Sequence, residues 1–252
     1  MDNGGVEYKI ENGIGRIEFW HPKSNSLPGE VLAKLANTIS ELGDIEEVKV
    51  IILASKGERA FCAGASFDEL ISIEDFETGK EFFMGFARVI NAARKCPKLI
   101  IGRIQGKAVG GGVGMAAASD YCLATKFASV KLSELALGIG PFVVGPAVER
   151  KISVSAMSHL AINATEWMDA EWAQQKGLYT AIYEDVDAMD QAIEELCGKL
   201  VKSNPEAMSL LKKVFWEGTE HWDQLLEERA AMSGKLVLSD FTRNAISAFK
   251  AK

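Results

Sequence analysis

The distribution of apolar and polar positions divides the chain into a mixed first part and a helical last part. Residues 6–10 and 14–20 are short alternating or apolar runs around Glu11-Asn12-Gly13, and Asn-Gly between two such runs predicts a tight β-hairpin. After the proline-punctuated loop His21-Pro22-Lys23-Ser24-Asn25-Ser26-Leu27-Pro28, Val31, Leu32, Leu35, Ile39 and Leu42 recur at helical spacing and predict one amphipathic helix. Residues 48–54 and 99–105 read as buried strands. Between them, 73–95 is irregularly helical, with Phe76, Phe82, Phe83 and Phe86 expected to pack in the core. Two more short strands are predicted over 120–124 and 128–132. After Pro141 the pattern is helical, over 146–152, 155–162, 166–176, 186–201, 205–216 and from 221 to the end. In the fourth of these Val186, Met189, Ile193, Leu196 and Leu200 follow one face. No internal repeat or long linker interrupts the chain, so the expected division is a mixed core over 1–190 and a helical region over 191–252.

Composition narrows the functional classes. At 252 residues, 48% hydrophobic and 25% charged, the chain has the make-up of a globular protein. A net charge of −7 without a basic stripe argues against a nucleic-acid partner, because phosphate binding draws on clustered Lys and Arg. Cys62, Cys96, Cys122 and Cys197 are scattered and form no C-x-x-C, so neither a zinc site nor a disulfide framework is indicated; a reduced, cytoplasmic setting is expected. The opening MDNGGVEYKIENGIG lacks the plan of a signal peptide, and no uncharged apolar run reaches the ~20 residues of a membrane span, so no membrane association is expected.

Chemistry is suggested by two small-residue segments. The first is Ala60-Phe61-Cys62-Ala63-Gly64-Ala65-Ser66-Phe67 and the second Gly106-Lys107-Ala108-Val109-Gly110-Gly111-Gly112. Consecutive glycines let a ligand approach bare N–H groups, and a helix beginning near Met115 would put its positive end there. Gly112-Val113-Gly114-Met115-Ala116-Ala117 also fits the G-x-G-x-x-A dinucleotide fingerprint, but 115–119 is too short for the crossover helix that this reading needs. His21, His159 and His221 accompany no G-x-S-x-G serine, so a Ser/His hydrolase is not supported.

The order and spacing of the His21-to-Leu27 loop, the A-F-x-A-G-A segment, the triple glycine and the helical tail resemble the enoyl-CoA hydratase/isomerase (crotonase) superfamily. That resemblance implies an α/β fold, a crotonase-like spiral of β-β-α units with a C-terminal helical region, assembled as homotrimers or hexamers. It implies an acyl-CoA thioester as substrate, with no cofactor beyond the coenzyme A that the substrate carries. The thioester oxygen would sit between the N–H groups of Ala65 and Gly111. Adenine and phosphate contacts would fall to Lys23, Ser24, Leu27 and Ala63 and to Phe249 and Lys250 in the tail, with Gly110, Gly114 and Phe142 around the rest of the substrate.

Hydratases of the family carry two glutamates, at the positions of Gly114 and Glu134 here, and this chain keeps only the second. Adding water occupies two carboxylates, whereas moving a double bond needs one base. Glu134, among Leu132, Leu135, Leu137 and Ile139, is the candidate base, its pKa expected to be raised by apolar surroundings. The isomerases of the family also follow this glutamate with a turn like Leu137-Gly138-Ile139-Gly140-Pro141-Phe142. Isomerisation of a 3-enoyl to a 2-enoyl thioester is therefore expected, with enoyl-CoA hydration, an NAD-dependent oxidoreductase and a non-catalytic CoA-binding oligomer as alternatives. Asp120, Glu149 and Glu69, the other carboxylates near the motifs, are expected to be structural.

Overall fold

The computed structural model describes residues 4–250, with side chains through residue 248. Two sheets receive the chain in alternation. The larger has six strands, β1 (Gly5–Glu11), β2 (Ile14–Trp20), β3 (Val50–Ser55), β5 (Leu99–Ile104), β7 (Tyr121–Thr125) and β10 (Ala181–Tyr183), in the order β1-β2-β3-β5-β7-β10. The smaller has four, in the order β4-β6-β8-β9: β4 (Ala60–Cys62), β6 (Lys107–Val109), β8 (Ser129–Lys131) and β9 (Met168–Asp169). The helices are α1 (Gly29–Asp44), α2 (Phe67–Ile71), α3 (Phe76–Lys95), α4 (Gly111–Ala118), α5 (Gly145–Ile162), α6 (Ala170–Gln175), α7 (Val186–Leu200), α8 (Pro205–Phe215), α9 (Trp222–Leu236) and α10 (Asp240–Lys250). Three times in succession a strand joins the large sheet, the next joins the small one and a helix follows: β3-β4 with α2 and α3, β5-β6-α4 and β7-β8-α5. This is the expected spiral of β-β-α units.

Local chemistry explains the elements. Asn12 and Gly13 both have positive φ, 52° and 80°, as a two-residue hairpin turn between Glu11 and Ile14 demands. β3 is buried along its whole length because it is covered on both sides. Ile51 and Leu53 belong to the core shared with α1 and α3, whereas Val50 and Ile52 meet Met189, Ile193 and Cys197 of α7. Residue 190, where the sequence suggested a division, therefore lies within a helix that packs on the large sheet. The helices expected over 146–152 and 155–162 are one element broken at Ser153, whose φ of 78° is not helical.

Two devices bind the tail to the core. α9 crosses α3 where Gly79 faces Gly234: a Cβ on Gly234 would stand 2.6 Å from the Lys80 nitrogen, so the backbones touch. Lys212 of α8 reaches Asp120 at 2.6 Å, and both side chains are almost wholly enclosed. The large sheet thus holds α7 and α8, while α9 and α10 fold back over α2 and α3.

Candidate active site

Parallel pairing brings the site together. β4 pairs with β6 and β6 with β8, so the C-terminal ends of three strands lie side by side, and the segments leaving them carry Ala65, Gly110 with Gly111, and Glu134. The Gly110 N–H donates to the Lys131 carbonyl at 2.9 Å, tying the second segment to the third. Leu27 bridges to Ala65 through Leu27 N–H to Gly64 O at 2.8 Å and Ser66 N–H to Leu27 O at 2.9 Å, and the Ala65 N–H takes part in neither bond.

The triple glycine differs from expectation in one respect. The helix begins not at Met115 but at Gly111, with Gly110 as its N-cap at φ 51° and ψ −113°, a backbone conformation open to glycine. Gly111 therefore contributes one of the N–H groups that a helix start leaves without an intrahelical acceptor. The same residues dispose of the dinucleotide geometry: α4 runs from the small sheet to the large one rather than between two strands of one sheet.

Ala63, Ala65, Gly110, Gly111, Glu134 and Phe142 all border one cavity of about 730 Å³. Its wall is mostly apolar, with Phe82, Phe83 and Phe86 of α3 on one side and Ala245 and Ala248 of α10 on another. The first two rings meet edge to face, centroids 5.0 Å apart. Phe76, grouped with them in sequence, is instead 40% exposed.

Glu134 opens a short 3₁₀ turn, Glu134–Leu137, that closes on Gly138 at φ 79°. Its carbonyl accepts from the Ile139 N–H at 3.0 Å, which fixes the turn. The side chain lies against Gly110, so closely that a Cβ there would be 2.8 Å from Oε1. Oε2 is buried and has no hydrogen-bond partner among the described residues. Burial raises the carboxyl from 4.5 to about 7, outweighing its own backbone N–H, which acts the other way. A carboxyl that titrates near neutrality is poised to take and return a proton.

The other expected residues are placed elsewhere. Gly114 does not border the cavity: a Cβ there would stand 2.6 Å from Cγ1 of Val144 and 3.4 Å from Cδ1 of Ile90, so the space beside it is filled by core. Leu27 is also a core residue, fully buried, with its backbone rather than its side chain serving the Ala65 loop. Lys23 pairs with Asp68 at the surface, and Ser24, at φ 54°, turns the same loop. The side chains of Phe249 and Lys250 lie outside the described residues. Asp120 accepts from Lys212, from the Ile100 N–H at 2.7 Å and from Trp216 Nε1 at 2.9 Å, and Glu69 accepts from the Gly29 N–H at 2.9 Å at the start of α1. Both are structural.

Ser26, Lys131, Thr165 and Trp167, not among the site residues expected from the sequence, also border the cavity. Lys131 follows Val130 in a strand, and alternation alone places it on the opposite face; what that face meets is decided by strands distant in sequence.

Comparison with known proteins agrees with the geometry. A family model described as enoyl-CoA hydratase/isomerase matches residues 9–252. The chain is 26% identical over 254 residues to a short-chain-enoyl-CoA hydratase of Clostridium acetobutylicum, covering 100% of this chain and 97% of that protein. It is 26% identical over 245 residues to a carnitinyl-CoA dehydratase of Escherichia coli strain K12, covering 90% and 92%. The fold is shared with an enoyl-CoA hydratase from Bacillus halodurans at a TM-score of 0.89 and 22% identity, covering 96% of this chain and 99% of that one. The chain is thus an enzyme of the enoyl-CoA hydratase/isomerase family, the crotonase superfamily.

Proposed function

We propose that the protein acts on acyl-CoA thioesters and shifts a 3-enoyl double bond to the conjugated 2-position. The thioester oxygen accepts from the N–H groups of Ala65 and Gly111. Glu134 removes a proton from C2; the C–H electrons form the C1=C2 double bond of a dienolate while the carbonyl π electrons move to the oxygen, where the charge rests. Glu134 then returns the proton to C4 and the double bond settles between C2 and C3. Each backbone donor aimed at the developing oxyanion is worth about 3 to 4 kcal/mol.

The observation that carries this reading is that Glu134 is the one carboxylate among the described residues of the cavity wall. Val144 and Ile90 occupy the room that a side chain at Gly114 would need. Hydration is the second reading, favoured by the names of the relatives, a hydratase and a dehydratase. The discriminating experiment offers the purified protein a 3-enoyl-CoA and crotonyl-CoA side by side. Faster formation of conjugated product from the first supports isomerisation; comparable or faster water addition to the second refutes it in favour of hydration.

The same proposal includes a cytoplasmic homotrimer or hexamer. Leu210, Leu211, Val214 and Phe215 of α8 are 45–57% exposed, an apolar face that suits self-association. Light scattering at micromolar concentration tests it, and a monomer would refute it.

A further inference from the structure

The small sheet presents a row of side chains to the cavity. Ala63 follows β4, Val109 ends β6, Lys131 ends β8, and Trp167 precedes β9, which runs antiparallel to β8. Val109 and Lys131 are direct ladder partners, and the Lys131 ammonium stands 4.6 Å from the centre of the Trp167 ring. Lys107, on the same face of β6 as Val109, approaches that ring at 4.9 Å. Neither lysine has a carboxylate within 4 Å among the described residues, although Lys9, Lys23, Lys56, Lys80, Lys95, Lys126 and Lys212 all do. Among the described residues the cavity wall therefore holds one cation, Lys131, set against an aromatic face and paired with no carboxylate.

A half-buried ammonium in an apolar wall is costly to desolvate further unless an anion meets it. A purely aliphatic acyl chain would add that cost; a carboxylate would remove it. We propose that Lys131, with Lys107 and Trp167 behind it, recognises an acyl chain that ends in a carboxylate, so that the preferred substrate is the mono-thioester of a short unsaturated dicarboxylic acid. The proposal rests on the acyl-CoA reading above, in which the thioester lies at Ala65 and Gly111. Lys131 stands on β8, one strand spacing of about 5 Å from Val109, which leads into the Gly110–Gly111 segment, so a short acyl chain brings its carboxylate to the ammonium.

The test compares glutaryl-CoA, pentanoyl-CoA and CoA alone by calorimetric titration of the wild type, Lys131→Gln and Lys131→Arg. The two thioesters have equal carbon counts and neither can be isomerised, so the result does not depend on which reaction the enzyme performs. The wild type is expected to bind glutaryl-CoA about tenfold or more tightly than pentanoyl-CoA. Lys131→Gln should bring that ratio near one, and Lys131→Arg should keep most of it. A wild-type ratio of one or less overturns the proposal, and this arm stands even if a variant fails to fold. Equal weakening of all three ligands in Lys131→Gln also overturns it, because Lys131 would then be meeting the phosphates of CoA. A retained preference in a protein that isomerises nothing would uphold the recognition and defeat the isomerase reading alone.

Discussion

Replacing Lys212 with Met separates a structural carboxylate from a catalytic one. Asp120 is enclosed at the start of β7, with its counter-charge 2.6 Å away on α8. Lys212→Met keeps much of the stem but removes the charge, leaving the Asp120 carboxylate with the donors from Ile100 and Trp216, while Lys151 donates to the Asp120 main-chain carbonyl at 3.0 Å. Breaking a buried pair by removing one partner costs about 3 to 5 kcal/mol, since the other charge stays uncompensated. In a chain of this size about 2 to 4 °C of Tm follows each kcal/mol, so a fall of about 6 to 20 °C is expected in thermal unfolding followed by circular dichroism. The double variant Asp120→Asn with Lys212→Met should lose less than the two single losses added together, because no lone charge remains. Both should retain turnover per folded molecule below the transition. A Lys212→Met protein within 1 kcal/mol of the wild type would refute the anchoring role, and an Asp120→Asn protein that keeps its Tm but loses activity would move Asp120 into the chemistry.

Three further outcomes follow from the site. Because burial raises Glu134 from 4.5 to about 7, the folded protein holds a proton that the unfolded chain releases; this group lowers stability as pH rises through that interval and adds nothing further above it. Glu134→Gln should therefore be more thermostable than the wild type at pH 8 and lose that advantage towards pH 4.5, while wild-type kcat/KM climbs with pH through about 7. Gly111→Ala drives a methyl into the Phe86 ring and displaces the N–H at the site, so kcat should fall about 10²- to 10³-fold; an unchanged kcat argues against Gly111 as an oxyanion donor. Gly114→Ala should be destabilising by up to about 2 kcal/mol despite the gain in helix propensity, and the loss should shrink in a Val144→Ala background; additive losses in urea unfolding would show that the contact is not what fills this space.

Much of the fold was legible because its signals are local. The Asn12-Gly13 turn, the face of α1 and the buried runs of β3 and β5 each follow from a few neighbouring residues, and all stand where expected. β4, β6 and β9, of two or three residues each, escaped because so short a run has no measurable period; only pairing with strands far along the chain defines them. α4 starts at Gly111 rather than near Met115, a shift that residue type hides because glycine is a poor helix former. The small size of Gly111, Gly112 and Gly114 is in fact required where Phe86, Cys62 and Val144 press on the helix. At the site, the small-residue segments and Glu134 could be read from residue type alone. Lys131 and Trp167 could not, because a surface-type lysine becomes a cavity residue only through the β8–β9 pairing.

A single half-buried carboxylate, Glu134, is proposed to perform the proton transfer. This role is tested most directly by the rate at which Glu134→Gln converts a 3-enoyl-CoA to its conjugated isomer. A loss of about 10²- to 10⁴-fold in kcat is expected with CoA still bound, since the amide preserves shape but cannot accept the proton. A Glu134→Gln enzyme with kcat near that of the wild type would contradict it.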